Sequence, residues 1–254
     1  MRRWGWTMAA ALALGVGAAG AAAADAPGLS NKVYSPYVRN GVTELELRGG
    51  RLNGGPLDGE QAAVVELERG INDRVSLAIV GEFEQHAGEA GKLDSIGVEG
   101  VIYIGQIPGL GVDVGGYLEY EQRLHNESGV VEAKLLLAKR SGPFEARLNV
   151  ISQTPLTDRP GEGDTELGYA AQGTVDVSRG LKLGAQAFGD AGTTRSLGGR
   201  QGHYLGPVAN WELRPSWMKG GELELEAAYL LPMGTARADS SGQLQLMVEF
   251  ERRF

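Results

Sequence analysis

Residues 242–254 read GQLQLMVEFERRF, and their alternation decides the fold. Leu244, Leu246, Val248, Phe250 and Phe254 share one parity, while Gln243, Gln245, Glu249, Glu251 and Arg253 take the other. A strand turns successive side chains to opposite sides, so this ribbon has one oily face and one wet face.

Working back from it, the same period recurs in about twelve segments, each near the 9 to 11 residues a tilted strand needs to cross a bilayer. The clearest are Leu223, Leu225, Ala227 and Tyr229 against Glu222, Glu224 and Glu226; Ala63, Val65 and Leu67 against Glu66 and Glu68; and Thr43, Leu45 and Leu47 against Glu44, Glu46 and Arg48. The tenth segment is the weakest, because Pro207 lacks a ladder donor and implies a bulge. Breaks between segments alternate in length. Short ones such as Gly70 to Asp73 and Ser141 to Pro143 are interleaved with longer, polar ones such as His86 to Gly91 and Arg123 to Gly129.

At the other end, Arg2 and Arg3 precede an apolar run from Met8 to Ala23, with Ala22 and Ala24 placed for cleavage before Asp25. Residues 1–24 therefore read as a secretory signal, too short for a convincing bilayer span. No later segment approaches a membrane helix, so any spanning structure must be made of strands. The chain has no cysteine, which excludes disulfide scaffolds and thiolate metal sites. Its formal charge of −8, with no basic stripe, argues against nucleic acid as a partner.

The alternating strands, the export signal and the aromatic last residue together resemble the bacterial outer-membrane β-barrel proteins. The resemblance implies an all-β, antiparallel, up-and-down transmembrane barrel of about twelve strands over residues 41–254, preceded by a segment, 25–40, that stays in the periplasm or folds inward as a plug. It also implies an outer-membrane address, contact with outer-membrane lipid and lipopolysaccharide, and an assembly machinery that reads Phe250 and Phe254. Outward aromatics fit two interfacial girdles: Phe83, Tyr120 and Tyr229 toward one end, Phe144, Trp211, Phe250 and Phe254 toward the other.

The wet parity is unusually acidic. Strand direction places Glu44, Glu46, Glu66, Glu68, Glu222, Glu224, Glu226, Glu249 and Glu251 in the periplasmic half of strands that become neighbours once the barrel closes. Arg48, Arg147, Lys182 and Arg253 are the bases expected to offset them, too few for every carboxylate. A wall of one sign concentrates opposite charges, so passive passage of small cationic or neutral solutes is the leading expectation. A closed structural or surface-interaction barrel is the alternative, since twelve strands lie between the filled and the water-filled sizes.

No catalytic residue, cofactor or metal site is expected. Of three histidines only His203 has the outward parity a lipid-facing hydrolase needs, and Tyr204 and Leu205 beside it offer no nucleophile. A rim grouping of Glu84, His86, Glu119, Glu121 and His125 matches no defined mechanism, and no carboxylate spacing matches a cation-binding loop. On this reading the mature chain fractionates with the outer membrane and migrates faster on gels before boiling than after. A soluble periplasmic product would contradict it.

Overall fold

A computed structural model describes residues 28–125, 128–157, 164–198, 201–218 and 220–253. The leader, residues 1–24, and the terminal Phe254 lie outside the described residues.

Twelve long strands run in chain order: β1 (Val42–Asn53), β2 (Gln61–Gly70), β3 (Val75–Gln85), β4 (Lys92–Ile107), β5 (Val112–Arg123), β6 (Val130–Ser141), β7 (Phe144–Pro155), β8 (Glu166–Ser178), β9 (Leu181–Thr193), β10 (Gly202–Leu213), β11 (Gly221–Gly234) and β12 (Gly242–Arg253). A two-residue strand, Ser196–Leu197, folds back on the end of β9, and a 3-10 turn, Thr235–Ala238, follows β11. Each long strand pairs antiparallel with the next, and β12 pairs with β1 from Val42↔Arg253 to Asn53↔Gly242. The sheet is therefore a closed cylinder without an edge.

Burial is inverted relative to a water-soluble protein. Large apolar side chains such as Leu47, Leu77, Ile79, Val98, Ile104, Leu118, Leu135, Val150 and Leu246 are exposed on the outside, while Glu46, Glu66, Glu99, Glu132, Glu145 and Glu249 are buried inside. An apolar belt around a closed sheet satisfies both requirements of hydrocarbon: oily side chains outward and no strand edge left unpaired. Phe83, Tyr120, Tyr229, Phe144 and Trp211 are exposed on this outer surface, and Phe250 is half-buried between Leu45 and Leu223.

The connections sort by end. Residues 71–74, 108–111, 142–143, 179–180 and 214–220 link strands at one end, and 54–60, 86–91, 124–129, 156–165, 194–201 and 235–241 at the other. The short-turn end is the periplasmic one by the usual asymmetry of such barrels. Strands run further into the long loops than alternation suggests: β1 takes in Gly49 and Gly50, and β11 continues to Gly234.

Pro207 does not create a bulge. Its register with β9 runs unbroken from His203↔Gly189 to Trp211↔Leu181, and the pairing with β11 resumes in the same register beyond it. The missing donor is tolerated because the ladder to β11 passes over Gly206 and Pro207 while the other side of the strand stays paired. The irregularities fall elsewhere, at Glu82/Phe83, Tyr103/Gly105, Leu167/Gly168 and Asp176/Ser178.

Ile79 is the sharpest probe of the belt, being 60% exposed near the middle of β3. Ile79→Arg is expected to destabilise the barrel by about 2 to 4 kcal/mol in lipid vesicles, measured by urea unfolding.

Candidate functional site

Register organises the acidic face. Glu68 on β2, Glu44 on β1, Glu251 on β12 and Glu222 on β11 are successive cross-strand partners. Two residues along, Glu66, Glu46, Glu249 and Glu224 form a second row, extended by Glu212 on β10. Glu226 stands next along β11, opposite Asn210. The nine glutamates picked out by parity thus form one continuous patch across four strands. Like charges directly opposite one another are destabilising, so the patch needs counter-charge.

Arg48 supplies part of it. Its Nη1 donates to Glu66 Oε2 at 2.6 Å and also to Glu46 Oε1. The remaining expected bases are engaged elsewhere. Arg147 and Lys182 converge with Arg140 on Glu145, at 2.8, 3.0 and 3.0 Å, on a different part of the wall. Arg253 donates to the Asn40 carbonyl. None of them makes an ion pair with the patch, because a nearer carboxylate or carbonyl takes each first, although Arg147 and Lys182 face Glu224 and Glu226 across the cavity.

The missing cations come from the segment before β1, which lies inside the cylinder. Gly28 is packed against Phe188 and its carbonyl accepts from the Gln245 side chain. Lys32 Nζ reaches Glu46 at 2.8 Å and Glu66 at 3.1 Å, in one glutamate row. Arg39 pairs with Glu44 at 3.1 Å, with Glu222 at 3.5 Å and with Glu251, in the other row. Each row therefore holds one tethered cation.

Between these two residues the segment crosses to the far wall. Tyr34 N–H donates to Asn149 Oδ1 at 2.7 Å, and Asn149 Nδ2 donates back to the Tyr34 carbonyl at 3.0 Å, a strand-like pair made by a buried side chain. The Tyr34 hydroxyl donates to Glu99 at 3.1 Å, and Lys134 Nζ sits 4.2 Å from the Tyr34 ring centre and 4.1 Å from that of Tyr117. Tyr37 O–H donates to Asp113 at 2.8 Å near the periplasmic end. The wall accommodates this path with glycine: a Cβ on Gly50 would run into the Leu29 carbonyl, and one on Gly115 would meet Pro36 at 2.8 Å.

The interior is layered. Toward the periplasm a cavity of about 430 Å³ lies between the glutamates and the Arg140, Arg147 and Lys182 group. Above it are amides: Gln172 donates to Gln186 at 3.1 Å and to Glu226 at 3.0 Å, and Gln186 donates to Gln245 at 2.5 Å. The outer half is not the polar lumen expected from the class. Leu52, Phe188, Tyr204 and Leu230 turn inward and pack with Leu29 into an apolar cluster, and Tyr204 shares a 2.8 Å hydrogen bond with Ser240.

The three histidines stand apart from the glutamate rows. His86 lies 3.9 Å from Glu60, His125 is 3.2 Å from the Leu93 carbonyl, and His203 is 3.3 Å from the Tyr169 hydroxyl. Lys32 and Arg39 are what parity reading misses, since they belong to no strand. The available signal is compositional: they are the bases between Asp25 and Gly41, interleaved with Leu29, Val33, Tyr34 and Tyr37 in a stretch too apolar for a solvated tail.

Solved structures share this architecture. An outer membrane channel from Pseudomonas putida F1 aligns with a TM-score of 0.56 at 12% identity, over 85% of this chain and 97% of that one. The NanC porin aligns at 0.55 and 9% identity, over 83% and 100%. The KdgM porin, seen in complex with disordered oligogalacturonate, aligns at 0.52 and 10%, over 83% and 99%. The fold is that of the bacterial outer-membrane porins. No protein-family model matches the chain, and no curated protein does. At such identities the likeness concerns the barrel fold alone, not the lining residues.

Arg48 bridges two buried carboxylates on neighbouring strands, and removing it leaves Lys32 alone to offset both. Arg48→Met is expected to destabilise the folded barrel by about 3 kcal/mol in urea unfolding. Arg214→Met, at an exposed guanidinium that pairs with Glu212 and Glu222 at the rim, is expected to change stability by less than about 1 kcal/mol.

Proposed function

We propose that the protein is a porin-like outer-membrane passage for small cationic or neutral solutes, held closed in this state by residues 28–40. The observation that carries the reading is the charge left over inside the cylinder. Among the described residues, no basic side chain lies within ion-pair distance of Glu224, Glu226 or Glu249, and all three line the 430 Å³ cavity. Acids outnumber bases around this cavity, nine glutamates facing Lys32, Arg39, Arg140, Arg147, Lys182 and Arg214, and a low-dielectric cylinder with such an excess raises the local concentration of cations and repels anions. The segment closes the way by filling the cross-section from Glu46 on one wall to Asn149 on the other, through polar contacts that water and solute can replace.

Outer-membrane lipid and lipopolysaccharide are the surroundings such a belt fits, and the closing strand with Phe250 and Phe254 is what an assembly machinery would read. A second reading, a non-conducting structural or surface-interaction barrel, draws on the apolar packing of Leu29, Phe188, Tyr204 and Leu230 across the outer half.

Planar-bilayer recording separates the two. The mature chain is expected to show small or infrequent steps, and a variant lacking residues 28–40 large, steady ones with potassium preferred over chloride. Replacing Glu222, Glu224 and Glu249 together by Gln should lower that preference by about twofold or more. Silence in both the mature chain and the deletion variant would favour the closed barrel, and preference for chloride would reject the acidic passage.

A further inference from the structure

Two sets of three carboxylates have oxygens close enough to share one ion, each set within 4.8 Å: Glu66, Glu68 and Glu99, and Glu44, Glu249 and Glu251. Proximity alone decides little in so acidic an interior. The first set has a further property. Glu99 is 4% exposed; its Oε2 accepts from the Tyr34 hydroxyl at 3.1 Å and lies 2.8 Å from the Tyr117 hydroxyl, whose one proton is shared with Glu119 at 2.6 Å, while its Oε1 has no hydrogen-bond partner. Ser76 is buried on the diagonal between Glu68 and Glu99, its hydroxyl without a hydrogen bond of good geometry. Ala78 stands between Glu68 and Glu99 in direct register with both, so only a methyl group occupies the floor between the carboxylates. Buried carboxylate oxygens that lack donors are costly unless a cation satisfies them.

We propose that Glu66, Glu68 and Glu99 bind a hard divalent cation of the calcium or magnesium class, and that this ion competes with the Lys32 ammonium for Glu66. Carboxylates and a hydroxyl are the oxygen ligands such ions take. The Lys32 ammonium and the Arg48 guanidinium already lie on Glu66, and of the two Lys32 is the one carried by residues 28–40, as the charge a bound ion would displace. An ion at Glu66 therefore weakens the contact that holds residues 28–40 in the cylinder, and by reciprocity the seated segment weakens the ion. The ion site stands on the geometry alone; its consequence for closure rests on the reading of the segment given above.

The test is calorimetric titration of calcium into the mature chain folded in detergent, with heat-modifiable migration confirming the fold of each variant. Wild type should bind saturably, Glu99→Gln should bind about tenfold more weakly, and Lys32→Met about tenfold more tightly. Glu68→Gln repeats the weakening test should Glu99→Gln fail to fold. No binding up to roughly millimolar calcium, or undiminished affinity in both Gln variants, overturns the site. Unchanged affinity in Lys32→Met overturns the competition. Bilayer recording of the same preparation keeps the two proposals apart: calcium binding in a chain that never conducts, even without residues 28–40, supports the ion site and rejects the passage, whereas conduction without calcium binding does the reverse.

Discussion

Everything in this molecule follows from pairing the last strand with the first. In hydrocarbon an unpaired backbone N–H or C=O costs several kcal/mol, so a sheet can enter a bilayer only when it has no edge. The β1–β12 ladder removes the edge along its whole length, from Val42↔Arg253 to Asn53↔Gly242. Closure also fixes which face is wet. Once the cylinder exists, parity along every strand is committed, and the apolar belt and the buried carboxylates are two sides of one constraint.

The same ladder creates the acidic patch. Glu44 and Glu46 near the start of the barrel meet Glu251 and Glu249 near its end only through this pairing, and β2 and β11 extend the rows on either side. Carboxylates this close repel, and the chain offsets them unevenly. Arg48 and Lys32 hold Glu46 and Glu66, Arg39 holds Glu44 and Glu251, and Glu224 and Glu249 face the cavity instead. The distribution leaves carboxylates and bases facing one another across the cavity instead of paired one to one.

Much of this was legible in the sequence, because period two is a property of strands that survives without tertiary information. The twelve segments, the sorted loops, the outward aromatics and the clustering of Glu222, Glu224, Glu226, Glu249 and Glu251 with Glu44, Glu46, Glu66 and Glu68 all follow from parity and direction. What parity cannot report is anything that does not alternate. Lys32 and Arg39 sit on an irregular segment whose conformation is imposed by the wall, with Asn149 clamping Tyr34 from 115 residues away. Parity also labels a position as inward without saying what fills it, so Leu52, Phe188, Tyr204 and Leu230 look like breaks in a polar lining until the segment's Leu29 is placed among them. Pro207 was a false alarm of a related kind: a missing donor interrupts one ladder, not the register of the strand.

Arg39 touches Glu44 on the first strand and Glu222 and Glu251 on the last two. Its binding place is thus divided between the opposite ends of the barrel sequence and does not exist until those ends have joined. Residues that precede every strand in the sequence thus find their partners on strands at both of its ends. The full set of contacts that seats Arg39 is therefore a property of the joined cylinder and of no single hairpin within it.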